Sequence, residues 1–374
     1  MLPEMHIIEE EILPKLREFA PLQRKKAERQ LAQWRGEKGV CSIFLSLKPE
    51  DVPEYALLPN YDLEEIHGDI EKMFVSQLKG ALLTAFAGGD AVPSVRANVG
   101  CGCLNTLLGG VKQTYFPDKM PWLLEHLPAE ELTALTAEDI INSEEFSRGL
   151  EEMRFMKKML EGTGVEVYPM DVQGPIDMAH LWLGDEFFYL LYDEPETVHH
   201  ALSLAVETID YAFRKNLEII APGDHLAHYN CLVLPIERPI KLSEDTSTLI
   251  SKAYLEEYMV PYTKEIFRRF GGGYIHFCGD NKHLLSVAET IPGSYGLNFG
   301  NPERHDFDDV FAALGQNGKY YIATAAQPCS LEDQVKAAAR EDGSFNLFTA
   351  MSCRKADEAR ILEEFEGYIR KYQK

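Results

Sequence analysis

From about residue 165 onward the chain alternates short β-type runs with helical ones, and this alternation most constrains the fold. Apolar, β-branched or aromatic runs at 92–99, 165–172, 225–234, 240–243, 274–278, 295–299, 320–324 and 345–350 read as strands. Helical patterns occupy 176–192, 195–220, 252–270, 282–290, 306–314, 331–341 and 355–372. Strands separated by whole helices pair in parallel, because a parallel neighbour needs a long crossover. Eight such strands close most naturally into a (β/α)8 TIM barrel, with a doubly wound open sheet as the rival. Residues 5–35 read as helices, and 63–87 as a helix closed by Gly88 and Gly89. Residues 40–62 carry Pro49, Pro53 and Pro59 and read as irregular, and helical patterns fill much of 119–162. This divides the chain into an N-terminal helical extension, 1–90, and a barrel, 91–374.

Charge narrows the function. The 374 residues carry 37 Lys and Arg against 60 Asp and Glu, a net charge of −23. Nucleic acid and anionic membrane surfaces both require a cationic footprint, so neither is an expected partner. No apolar run is long enough to cross a bilayer, and the N-terminus lacks the shape of a signal peptide. Seven cysteines, an odd number in a long chain, read as reduced thiols of a cytoplasmic protein.

The run Tyr274-Ile275-His276-Phe277-Cys278-Gly279 carries the main chemical signal. Strand side chains alternate faces, so His276 and Cys278 point the same way at a strand's C-terminal end. Barrel active sites lie at such ends. Cys353, just past the last strand, belongs on the same rim. One imidazole and two thiolates with a fourth position open form a catalytic zinc arrangement. The alternative is a hydrogen-bonded pocket histidine with cysteines acting as small buried hydrophobes. Asp245 follows a strand end; it could be a fourth ligand, a group orienting His276, or a helix cap. Gln173, Tyr229 and Asn298 are candidates for lining the substrate pocket. Cys101 and Cys103 follow the first barrel strand, and could be an auxiliary ligand pair or pocket-lining thiols. His225 and His228, three apart on a strand, face opposite ways, which argues against a shared metal.

The run His276-Phe277-Cys278-Gly279-Asp280-Asn281 resembles the H-x-C-G segment of the uroporphyrinogen decarboxylase superfamily, where it marks corrinoid-dependent, zinc-containing methyltransferases. Val172-Gln173-Gly174-Pro175, Tyr192-Asp193-Glu194-Pro195-Glu196, Ser243-Glu244-Asp245 and Val260-Pro261-Tyr262 are similar to other segments of that superfamily. The resemblance spans roughly residues 90–374 and implies a (β/α)8 barrel. It implies zinc on His276, Cys278 and Cys353, the last matching by position. It also implies a corrinoid such as methylcobalamin, free or on a partner protein, that exchanges a methyl group with a small acceptor such as a thiol. The arginine-bearing N-terminal segment of the decarboxylases is missing, which disfavours porphyrinogen decarboxylation. A metal-independent lyase acting on another organic acid stays open. So does a non-catalytic corrinoid or tetrapyrrole carrier, although the Asp-x-His-x-x-Gly run of corrinoid-binding modules is absent.

Overall fold

The computed structural model describes residues 2–220, 223–280, 282–288, 290–316, 318–323 and 327–373. Asn281 of the quoted run and Thr324 of the expected strand lie outside the described residues. The strands, in chain order, are β1 (Ser42–Leu47), β2 (Ser94–Val95), β3 (Gln113–Thr114), β4 (Trp122–Leu123), β5 (Glu166–Val167) and β6 (His225–His228), followed by β7 (Leu232–Pro235), β8 (Ile240–Ser243), β9 (Gly273–Phe277), β10 (Ser294–Phe299), β11 (Tyr320–Ile322) and β12 (Leu347–Cys353).

Six of them form one parallel sheet in the order β1-β12-β11-β10-β9-β8. The strict strand–helix alternation of the C-terminal half becomes this sheet. One row of paired residues runs across it: Ser243, His276, Asn298, Ile322, Phe348 and Ser42. Two parallel links and a single backbone hydrogen bond flank it. β2 pairs with β5, Gln173 bridges to Ser243, and the Asp90 N–H donates to the Ile43 carbonyl at 2.7 Å.

The two faces of the sheet bury different side chains. Phe44, Tyr274, Tyr320, Ile322 and Phe348 join Trp34, Ala91, Leu232 and Leu234 in an inner cluster. Their strand neighbours Ile43, Leu45, Ile275, Leu297, Leu347 and Cys353 enter the larger core beneath the helices. Period-two alternation makes this division.

Three sequence expectations need correction. Residues 40–62 are not wholly irregular, because β1 pairs with β12 along its whole length. Five of its six residues are buried, so its pattern is the continuous apolar run of a strand covered on both faces rather than an alternating one. The prolines follow it. The 225–234 run is an antiparallel hairpin, β6–β7, and not a member of the parallel sheet. Its turn holds Asn230 and Cys231 at φ of 61°. Helix 176–192 is two helices, Pro175–Leu183 and Glu186–Asp193. Gly184 separates them at φ of 62°, where a Cβ would come within 2.7 Å of the His126 ring.

The N-terminal helical segment is present, and it braces the inner cluster. Helix Leu13–Trp34 sends Trp34 into that cluster, where its indole N–H donates to the Val233 carbonyl at 2.7 Å. Gln30 donates to the Asp90 and Cys231 carbonyls, and Gln33 to that of Leu347. One helix thus satisfies backbone acceptors on both the sheet and the hairpin, groups that would otherwise be costly to bury. Trp34→Ala should lower the unfolding free energy by about 3–5 kcal/mol in a denaturant titration. Trp122→Ala, at a side chain 46% exposed, should cost less than about 1 kcal/mol.

Candidate metal centre

His276 stands on β9 beside Asn298 of β10. The Asn298 carboxamide is oriented by donating its Nδ2–H to the Ile322 carbonyl. Its oxygen is therefore turned to His276 Nδ1, 2.5 Å away. Nδ1 must carry the proton and donate it, which leaves the Nε2 lone pair free. Nε2 faces the Cys278 thiol at 3.5 Å and an Asp245 carboxylate oxygen at 3.9 Å. Donor atoms of Asp245, His276 and Cys278 all lie within 4.8 Å of one another. A nitrogen and a sulfur on a tetrahedral zinc stand about 3.6 Å apart, given bonds of about 2.05 and 2.3 Å. The observed nitrogen–sulfur spacing fits that edge.

The neighbouring backbone is shaped to this group. Asp245 Oδ1 accepts the Cys278 N–H at 2.6 Å, so the loop after β8 holds the end of β9. Asp245 is itself anchored, because Asp177 accepts its N–H and that of Thr246 at 2.9 and 2.7 Å. Gly300, just past β10, leaves room for the thiol, since a Cβ there would lie 2.2 Å from Cys278 Sγ. Gly174 does the same for the fully buried Glu244, whose carboxyl would sit 2.2 Å from a Cβ.

Burial, then the Lys241 charge, hold the His276 imidazole below its usual pKa and favour the neutral ligand form. Burial, then the Asp245 carboxylate, raise the Cys278 thiol to about 11. A metal bound here would therefore displace a thiol proton. Burial and the nearby Asp245 carboxylate raise Asp177 to about 7.

These residues open into a cavity of about 520 Å³ lined also by Arg96, Cys101, Trp122, Asp171, Gln173, Tyr229 and Lys241. Gln173 and Tyr229 take the places expected of them, with the Tyr229 ring 5.8 Å from the Arg96 guanidinium carbon. Asn298 does not line the cavity; it is 1% exposed and acts behind His276. Cys101 lines the cavity, its thiol raised by burial, then by Asp171, to about 12. Cys103 is fully buried away from it.

Cys353 is not brought to His276 and Cys278. It lies on β12, three strands from β9, and its side chain belongs to the outer core with Leu347. Its thiol is raised by burial, then by Glu358 and Asp357, residues of the following helix. Alternation explains the failure, since Ser352 and Cys353 take opposite faces. Asp245 supplies the third donor of the group in its place.

Sequence reasoning did not single out Arg96, Asp171, Asp177 or Lys241 as site residues. Parity carried the signal for two of them. Asp171 lies two residues before Gln173, which bridges to Ser243, and Lys241 shares a strand face with Ser243, which pairs with His276. His228 is confined to structure, its Nε2 hydrogen-bonded to the Pro239 carbonyl at 2.7 Å. His225 lies between Glu166 and Asp224, at 2.8 Å from each, outside the cavity.

No protein-family model matches the chain, and no curated protein matches it. No helix among the described residues is long and apolar enough to cross a membrane.

Two outcomes follow from these contacts. Asn298→Ala frees the His276 ring and leaves the Ile322 carbonyl unpaired, so it should lower the unfolding free energy by about 1–3 kcal/mol in a denaturant titration and weaken the uptake of added zinc in a chelator competition. The Glu166 hydrogen bond, above all, raises His225 from 6.5 to about 9. A raised pKa stabilises the folded state fully below the unfolded value and is lost as pH climbs through the folded one. The melting-temperature gap between wild type and Glu166→Gln should therefore be widest near pH 6 and close by pH 9.5, about half a unit above the raised value.

Proposed function

We propose that this protein is a zinc-dependent methyltransferase that moves a methyl group between a corrinoid and a thiol or another small acceptor. The reading takes the protein as a member of the uroporphyrinogen decarboxylase superfamily, on the motif resemblance. It takes the parallel sheet as most of a (β/α)8 ring, with residues 90–95 and 166–173 as its remaining strands. The β2–β5 pairing, the Gln173–Ser243 bridge and the Asp90–Ile43 hydrogen bond support that closure.

The observation that carries the functional reading is the convergence of Asp245, His276 and Cys278 at one end of a cavity. Their oxygen, nitrogen and sulfur donors suit zinc and leave a coordination position for a ligand. Bound there, zinc would supply Lewis acidity that lets a thiol ionise at neutral pH. The protein's own residues do the rest. Asn298 fixes the His276 tautomer, Asp245 ties the two loops together, and Gly300 keeps the thiol pocket open. Trp122, Leu124 and Leu249, at 46%, 57% and 70% exposure, give segments next to the cavity exposed apolar surface. A corrinoid is broader than the cavity, so it would lie across the mouth against such surface, on its own or on a carrier protein.

Protein purified without chelator should contain about one zinc per chain. His276→Ala and Cys278→Ser should abolish that zinc, whereas Cys353→Ser should retain it. The zinc form should convert methylcobalamin to cob(I)alamin only when a thiol is added, followed by absorbance. Zinc-free protein without this activity would sink the proposal. One observation favours a second reading, a metal-independent lyase acting on an organic acid: Asp177 lines the cavity, and burial and then Asp245 drive its carboxyl toward the neutral form that can serve as a proton donor. Carbon dioxide release that survives chelation would support it.

A further inference from the structure

The geometry points to an anion subsite in the same cavity, built from Arg96 and Lys241, that recognises the acid group of a small organic acid. Lys241 lies on β8 two residues before Ser243, which is the β-partner of His276. Its ammonium group donates to Asp171 Oδ1 at 2.8 Å and to the Ser243 hydroxyl. An ammonium has three protons, so these two bonds leave one for a ligand. Arg96 Nη1 reaches the same Asp171 oxygen at 3.5 Å, and Nη2 donates to Asn98 at 2.8 Å. The rings of Tyr168 and Tyr229, 5.9 and 5.8 Å from the guanidinium carbon, fix its position.

The charges do not balance within this cluster. Two cations share one carboxylate, and Gln173 satisfies the other oxygen of that carboxylate at 2.9 Å. Burial works against the Asp171 charge, yet Lys241 and Arg96 outweigh it and keep the carboxyl ionised. The side chains of Lys241 and Arg96 are only 9% and 18% exposed. Two partly buried cations that share a single carboxylate are better satisfied when an anion joins them. The other cavity carboxylates are directed elsewhere: Asp177 accepts the Asp245 and Thr246 N–H groups and Asp245 the Cys278 N–H, and among the described residues neither is ion-paired with Arg96 or Lys241.

The cavity thus has a cationic end and a metal-ligating end. Its volume of about 520 Å³ suits a small molecule. A short acid would place its carboxylate or sulfonate against Arg96 and Lys241 and direct its far end to Asp245, His276 and Cys278. That second clause rests on the proposed function; the anion subsite does not.

Calorimetric titration of the full-length zinc-loaded protein tests it, with 3-mercaptopropionate against neutral 3-mercaptopropan-1-ol. The acid should bind at least about tenfold more tightly, the worth of charge-assisted hydrogen bonds. Lys241→Met and Arg96→Gln should each erase that preference, the affinity for the acid falling to that for the alcohol. If either variant fails to fold by thermal melting, Arg96→Lys, which keeps the charge and loses the planar fork, should reduce the preference. Equal binding of acid and alcohol by wild type overturns the inference, as does a preference that survives in every folded variant. 3-Mercaptopropane-1-sulfonate distinguishes a carboxylate site from a general anion site. Propionate, which has no soft end, separates the two claims. If the protein holds no zinc yet binds propionate through Arg96 and Lys241, the methyltransferase reading falls and the subsite stands. If zinc is present and no anion preference is found, the subsite falls alone.

Discussion

Two-residue alternation along parallel strands held in register delivers the strand-borne side chains of the candidate site. His276 faces the cavity because Tyr274, two residues earlier, faces the inner cluster. Asn298 can lock the imidazole because register sets it directly beside His276. Ser243, on the other side of His276 in the same row, brings the Lys241 ammonium with it. A one-residue slip would turn each of these groups into the helical layer. The N-terminal helix guards against such a slip. Its Gln33 and Trp34 hold backbone acceptors on β12 and β7, and Tyr320 of β11 donates to the Gln33 carbonyl at 2.8 Å.

Electrostatics divides the cavity that this geometry makes. Three carboxylates and two cations surround it, and neighbouring groups drive Asp171 and Asp177 in opposite directions. Asp171 stays ionised between Lys241 and Arg96. Asp177, buried and facing Asp245, is driven toward its neutral form. Glu244 behind it is pushed well above the usual carboxyl range by burial and then by Asp177. The Asp245 carboxylate lies next to the imidazole and the thiol, and the two cations lie on the Arg96–Lys241 side. Neighbouring groups of one residue type with pKa values driven apart recur at functional sites.

The sequence made part of this legible. The strand–helix alternation of the C-terminal half announced a parallel sheet, and the His-x-Cys spacing at a strand end announced a shared face. Gln173 was legible as a cavity residue because it sits just past a strand-like run, whereas Tyr229 lies within the 225–234 run and reaches the cavity from the hairpin turn. β1 was obscured because a strand buried on both faces shows no alternation, and the following prolines suggested a loop. Cys353 misled for a related reason. Proximity to a strand's end predicts the rim, but parity decides the face, and a shift of one residue exchanges Ser352 for Cys353. The roles of Asp177 and Asn298 were invisible because they act through hydrogen bonds between elements 68 and 22 residues apart in sequence.

The replacement of a distant thiol by Asp245 changes what the site can select. Two thiolates and an imidazole form a soft set that favours zinc strongly. One thiolate, one imidazole and one carboxylate have the same formal charge but a harder donor among them. Metal preference then rests more on geometry than on ligand softness. The geometry here is held from outside the ligand set, by Asn298 on His276, by the Cys278 N–H on Asp245, and by Asp177 on the Asp245 backbone. A bound ligand with its acid group on Arg96 and Lys241 would add a further constraint from the opposite end of the cavity. Selectivity would then be shared between the metal and the ligand, and the placement of Lys241 on β8 and His276 on β9, neighbouring strands of one sheet, would set the separation of the two ends.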